Sequence, residues 1–97
     1  MHRDKIKEIS QYLNIDQDSL IEKGVESLLT ERKRELMVDR YELLSRYNVS
    51  NLDELEKKIE SGDVKEHPTW EDLITLENLD EAITRLNEYQ KQLHQAA

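Results

Sequence analysis

Residues 70–93, WEDLITLENLDEAITRLNEYQKQL, place Leu76, Leu79, Ile83, Leu86, Gln90 and Leu93 at alternating steps of three and four. That spacing keeps one side chain per turn on a single helical face, the geometry of a coiled-coil seam. Trp70, Leu73, Ile74, Ala82 and Tyr89 widen the face. A two-helix seam needs only a narrow stripe, so the wider one predicts three or four helices meeting. Gln90 is the polar interruption. It could oppose Arg32 in an antiparallel hairpin, but a solvated, frayed helix end is the simpler expectation.

A second long helix is expected over residues 17–47, with Leu20, Ile21, Val25, Leu28, Leu29, Leu36, Leu43, Leu44 and Tyr47 on its apolar side. At ~1.5 Å per residue it would be about 45 Å long, more than the diameter of a globule of this size. Part of it must therefore lean on another surface. Asp16 is its expected N-cap, a carboxylate positioned to accept from the free amides of the first turn. Gly24 lies inside and costs about 1 kcal/mol relative to Ala; it either admits a close neighbour or is a tolerated weak spot. Arg32 falls where the stripe of Val25, Leu29 and Leu36 would take an apolar residue.

Between these rods lies a short acidic connector. Asn48 suits a left-handed C-cap, and Asn51 with Glu54 resembles a capping box. A short helix over residues 51–61 follows, with Leu52, Leu55 and Ile59 on one face and Gly62 ending it. Residues 64–68 read as loop, because Pro68 disfavours helix at the residue before it. Thr69 is the expected cap of the last helix, which spans about residues 70–94. Ile6, Ile9 and Leu13 mark a short N-terminal helix over residues 4–13. The expectation is one all-α domain over residues 1–97, a helical hairpin or bundle.

Composition narrows the function classes. Charged residues are 37% of the chain, with one proline, two glycines and no cysteine. Disulfides, thiolate metal sites and cysteine nucleophiles are excluded. No apolar run approaches the ~18 residues of a membrane span, and residues 1–5 lead into no signal-peptide core. A cytoplasmic protein is expected. His2, His67 and His94 share no zinc-type spacing, and neither a phosphate loop nor a nucleophile elbow is present. No catalytic residue, metal or cofactor is expected.

The net charge of −8 is lopsided. Residues 51–82 hold eleven acids against Lys57, Lys58 and Lys65, whereas residues 1–50 hold ten acids and nine bases. Such a middle repels phosphates and attracts basic proteins, although a solvated surface is the ordinary reason for a charge run. The cluster Arg32, Lys33, Arg34, with Arg40 and Arg46, is interleaved with Glu31, Glu35, Asp39 and Glu42. This alternation suits intrahelical salt bridges better than nucleic-acid contact.

Residues 41–93, YELLSRYNVSNLDELEKKIESGDVKEHPTWEDLITLENLDEAITRLNEYQKQL, resemble the C-terminal part of small helical antitoxin-like proteins of prokaryotic toxin–antitoxin loci. Arg46–Ser50, Leu52–Gly62 and His67–Asp72 carry the likeness, with Trp70 its best marker. Residues 9–29, ISQYLNIDQDSLIEKGVESLL, are similar to the two-helix half of ribbon–helix–helix proteins, but only residues 1–3 precede the helical pattern where that family has its DNA-reading strand. The first resemblance implies a non-enzymatic protein-binding module whose partner is a basic protein such as a small toxin. Trp70 and Leu73 would be apolar anchors, with Glu66, Glu71, Asp72 and Glu77 around them. A homodimer or bundle core would use Val25, Leu29, Leu36, Leu43, Leu76, Leu79, Ile83 and Leu86. The alternatives are a self-associating helical bundle and a DNA-binding repressor using Lys33 and Arg34.

Overall fold

A computed structural model describes residues 3–96; His2 lies outside them. The described chain is all-α: α1 (Arg3–Leu13), α2 (Gln17–Arg46), α3 (Leu52–Ser61) and α4 (Glu66–Ala96). The expected helices are therefore present, with ends shifted by a residue or two except at the start of α4. The range of α4 joins Glu66 to the continuous helix across a kink at His67, so the continuous helix starts close to the expected place, with Thr69 in its first turn. Pro68 acts on its neighbour as expected: His67 has extended backbone (φ −113°, ψ 125°).

Local chemistry sets the other boundaries. The Asp16 carboxylate accepts from the Ser19 amide at 2.9 Å and from the Ser19 hydroxyl at 2.7 Å, starting α2. Asn48 ends that helix with φ 54°, and Lys58 Nζ donates to the Tyr47 carbonyl at 2.7 Å. Asn51 Oδ1 accepts from the Glu54 amide at 2.9 Å while Glu54 Oε2 accepts from the Ser50 amide at 2.6 Å. This arrangement is close to a capping box, displaced by one residue on the return arm. Gly62 closes α3 at φ 78°, where a side chain would be strained.

α2 and α4 form an antiparallel hairpin, α3 lies across α4 near the turn, and α1 touches α2. The register is read from four cross-hairpin contacts. Glu26 pairs with His94 at 3.3 Å, Thr30 with Gln90 at 3.0 Å, Arg40 with Asp80 at 2.5 Å, and Arg46 with Asp72 at 3.6 Å. Gln90 is thus neither frayed nor opposite Arg32. It is half-buried and donates to Thr30, two residues from the position an Arg32 pairing would need.

Only one end of the hairpin has a dry core. Leu43, Leu44, Leu55, Ile59, Leu73 and Leu76 form it, with Tyr47, Val49, Leu52 and Val64 packed around them. Toward the other end Thr30–Gln90 and Glu26–His94 cross the hairpin, and Ile21, Val25, Leu28 and Tyr89 are each more than 40% exposed. The chain measures 61 × 23 × 19 Å with a radius of gyration of 19.6 Å, against about 13 Å for a compact domain of 100 residues.

Candidate functional site

The exposed apolar surface of α4 begins with Trp70, 47% exposed, and Ile74, 55% exposed. Glu77, Glu81 and Glu88 follow at helical spacing on the same side and are exposed. The result is an apolar pair leading into a row of carboxylates. Glu66 is exposed just ahead of it, and Glu71 Oε1 lies 3.0 Å from His67 Nδ1. None of Glu66, Glu77, Glu81 and Glu88 takes part in an ion pair among the described residues.

Two expected members of this face belong elsewhere. Leu73 is 2% exposed and lies in the core against α2 and α3, so it is no free anchor. α3 crosses α4 here and turns position 73 inward, leaving Ile74 as the exposed neighbour. Ile74 sits four residues after Trp70, a spacing that marks the pair in the sequence once the side of α4 under α3 is known. Asp72 is a structural acid. It accepts from the Tyr47 hydroxyl and lies 3.6 Å from Arg46. Burial pushes the Tyr47 phenol above its ordinary range, and the hydrogen bond to Asp72 adds to the effect.

The expected bundle core divides. Leu36, Leu43, Leu76 and Ile83 are buried inside this one chain, Leu29, Leu79 and Leu86 are half-buried, and Val25 is 43% exposed. Asp72, Asp80, Gln90 and His94 of α4 make the polar contacts to α2, and Leu73 and Leu76 cluster with its Leu43 and Leu44. Leu79, Leu86 and Leu93, seven residues apart, fall to one side of these contacts. Leu86 and Leu93 border open grooves there with Val25, Leu29, Arg32 and Leu36 of α2 and with Ala82, Arg85 and Tyr89 of α4. Gly24 admits no close neighbour within the chain: a methyl group added there meets nothing within 4 Å.

The four arginines of α2 are engaged by carboxylates. Arg32 pairs with Glu35 at 3.1 Å and Arg34 with Glu31 at 2.7 Å, each one helical turn apart. The Arg34 guanidinium holds the Glu31 carboxyl below its ordinary range, chiefly through the hydrogen bond and then through charge. Arg40 and Arg46 clamp the hairpin through Asp80 and Asp72. Lys33 is half-buried. Among the described residues no three histidines or carboxylates are grouped to hold a metal ion. No helix among them is long and apolar enough to cross a membrane.

Fold and surface together define a small antiparallel helical-hairpin protein with an acidic, tryptophan-bearing face at its turn end. The chain belongs to the uncharacterized protein MJ0235 family, whose pattern it matches over residues 1–97. It is 33% identical to the uncharacterized protein MJ0235 of Methanocaldococcus jannaschii over 69 residues, which is 71% of this chain and 84% of that protein. No solved structure matches it.

Proposed function

We propose that this protein is a non-enzymatic binding module that captures a basic protein partner on the turn end of α4. The carrying observation is the juxtaposition of exposed Trp70 and Ile74 with the unpaired carboxylates of Glu77 and Glu81. An exposed tryptophan is costly to leave in water, and binding energy concentrates in such buried-on-contact aromatic groups. The surrounding acids would accelerate encounter with a positively charged surface more than they would deepen affinity. Residues 39–80 hold twelve acids and five bases, a local net charge of −7, so the field at this end has one sign. A small toxin encoded beside this protein is the specific partner suggested by the antitoxin resemblance. The DNA-binding alternative has less support, because Arg32, Arg34, Arg40 and Arg46 already face carboxylates.

Trp70 is the sole tryptophan and therefore reports on its own site. Co-expression with the neighbouring gene's product should give a complex that blue-shifts tryptophan emission. The complex should weaken in ~1 M salt and lose roughly 30-fold or more in affinity on Trp70→Ala. No complex with that product, or one indifferent to both salt and Trp70, would contradict the reading.

A further inference from the structure

We propose that a second copy of this chain docks on the open side of the α2–α4 hairpin, at the end away from Trp70, so that two hairpins complete one four-helix assembly. One observation on the whole chain and two on that end support it.

The first is area. The chain exposes 7597 Å², whereas a folded monomer of 11.6 kDa is expected to expose about 5,800 Å². The excess, about 1,800 Å², is of the size each partner gives up in an obligate homodimer, where interfaces bury roughly 2,000–5,000 Å² in total.

The second is placement of the apolar residues. Across the open half, Thr30–Gln90 and Glu26–His94 join α2 to α4, and Leu29, Leu86 and Leu93 are only half-buried. Val25, Leu29, Leu36, Leu86, Tyr89 and Leu93 border two grooves that share Tyr89. These grooves run along one side of the hairpin, contributed by both helices. Packing two such two-helix faces against each other is how four-helix bundles cover their cores. A self-complementary patch is also what a twofold dimer requires, since each copy offers the other the same surface.

The third is charge, which selects the occupant. Residues 3–38 together with 81–95 hold ten acids and nine bases, net −1. Two copies of a chain with net charge −8 would repel if they met at the turn end. They can approach without that penalty only through the balanced open end. A strongly basic partner finds no complementary field there.

Sedimentation equilibrium over a dilution series, in low salt and in ~1 M salt, tests the proposal. A species of twice 11.6 kDa, persisting in high salt, is expected. Leu86→Glu and, as a gentler change at a half-exposed position, Tyr89→Glu should each raise the dissociation constant by roughly 30-fold or more while keeping the helical circular dichroism signal. Trp70→Ala should leave the mass unchanged. In a mixture of isotope-labelled and unlabelled protein, the methyl groups of Leu29 and Leu86 should show contacts to the other copy, a readout that needs no mutation. A single monomeric mass up to millimolar concentration would overturn the proposal. So would a dimer that survives both glutamate variants, one broken by Trp70→Ala, or one without those methyl contacts. Failure of the dimer would leave partner capture at Trp70 standing, because the two surfaces lie at opposite ends of the hairpin.

Discussion

The two ends of this hairpin are built on different physics. At the turn end three helices share a dry core, with Leu55 and Leu76 fully buried, and the ion pairs surround it. At the open end two polar pairs cross between the helices, and Leu29 and Leu93 line an open groove. Two parallel rods offer each side chain only one neighbouring surface; a third element is needed to bury a full stripe. α3 supplies it at the turn, and the chain has no equivalent for the other end. α1 is too short and leaves its own Ile9, Tyr12 and Leu13 about half exposed or more. Exposed apolar side chains therefore lie at both ends, Ile21, Val25, Leu28 and Tyr89 at the open one and Trp70 and Ile74 on the acidic face.

Truncation of the core should break this contrast most sharply. Leu76→Ala removes a side chain that has no exposed surface and should cost about 3 kcal/mol in urea unfolding, as deletions in well-packed cores do. Val25→Ala, measured where the protein is dilute, should cost no more than about 1 kcal/mol, because that residue is already 43% exposed. Equal costs would mean that the open end is as tightly packed as the turn end.

A smaller effect is expected at Tyr47, whose hydroxyl donates to Asp72 across the hairpin. Tyr47→Phe should destabilise by roughly 1 kcal/mol, the net worth of one such hydrogen bond. Its pH signature is distinctive. Burial and the Asp72 acceptor favour the protonated phenol, so the folded-state pKa is raised. The stabilisation is complete below the unfolded value of about 10 and is lost as pH rises through the folded-state value. Alkaline unfolding curves of the wild type should therefore fall from about pH 10, and those of Tyr47→Phe should fall less steeply over the same range.

Gly24 gives the finest probe of the open end. An added methyl meets nothing within the chain, so Gly24→Ala should stabilise the protein by up to about 1 kcal/mol, the helix-propensity difference. A destabilised variant with a weakened dimer would instead place Gly24 in a close helix–helix contact between copies. At the start of α2 only the direction is predicted. Hydrogen bonds from Ser19 hold the Asp16 carboxyl below its ordinary range. That contribution is present above the unfolded carboxylate value and fades as pH falls through the folded one. Acid should thus fray the first turn of α2 in hydrogen exchange, and Asp16→Asn should blunt that response.

The helices were legible because their signals are local. Asp16, Asn48, Asn51 and Gly62 act within a turn of their own positions, and a three-four stripe needs no knowledge of a partner. What depends on the angle between helices was not legible. Leu73 and Ile74 are adjacent apolar residues, and only the crossing of α3 decides that the first is core and the second surface. The cleanest stripe in the sequence was a mixture of two faces. Leu76 and Ile83 turn toward α2, while Leu79, Leu86 and Leu93 drift aside. Asp72 could not be separated from its acidic neighbours without Tyr47 beside it.

Hydrogen exchange followed against protein concentration addresses the contrast most directly. Amides of Leu43, Leu55 and Leu76 should exchange at the same slow rate at every concentration. Those of Leu29, Leu86 and Tyr89 should be weakly protected when dilute and gain protection as copies pair, since binding to the folded state stabilises it by mass action. Uniform protection from end to end, independent of concentration, would show instead that one chain closes both ends alone.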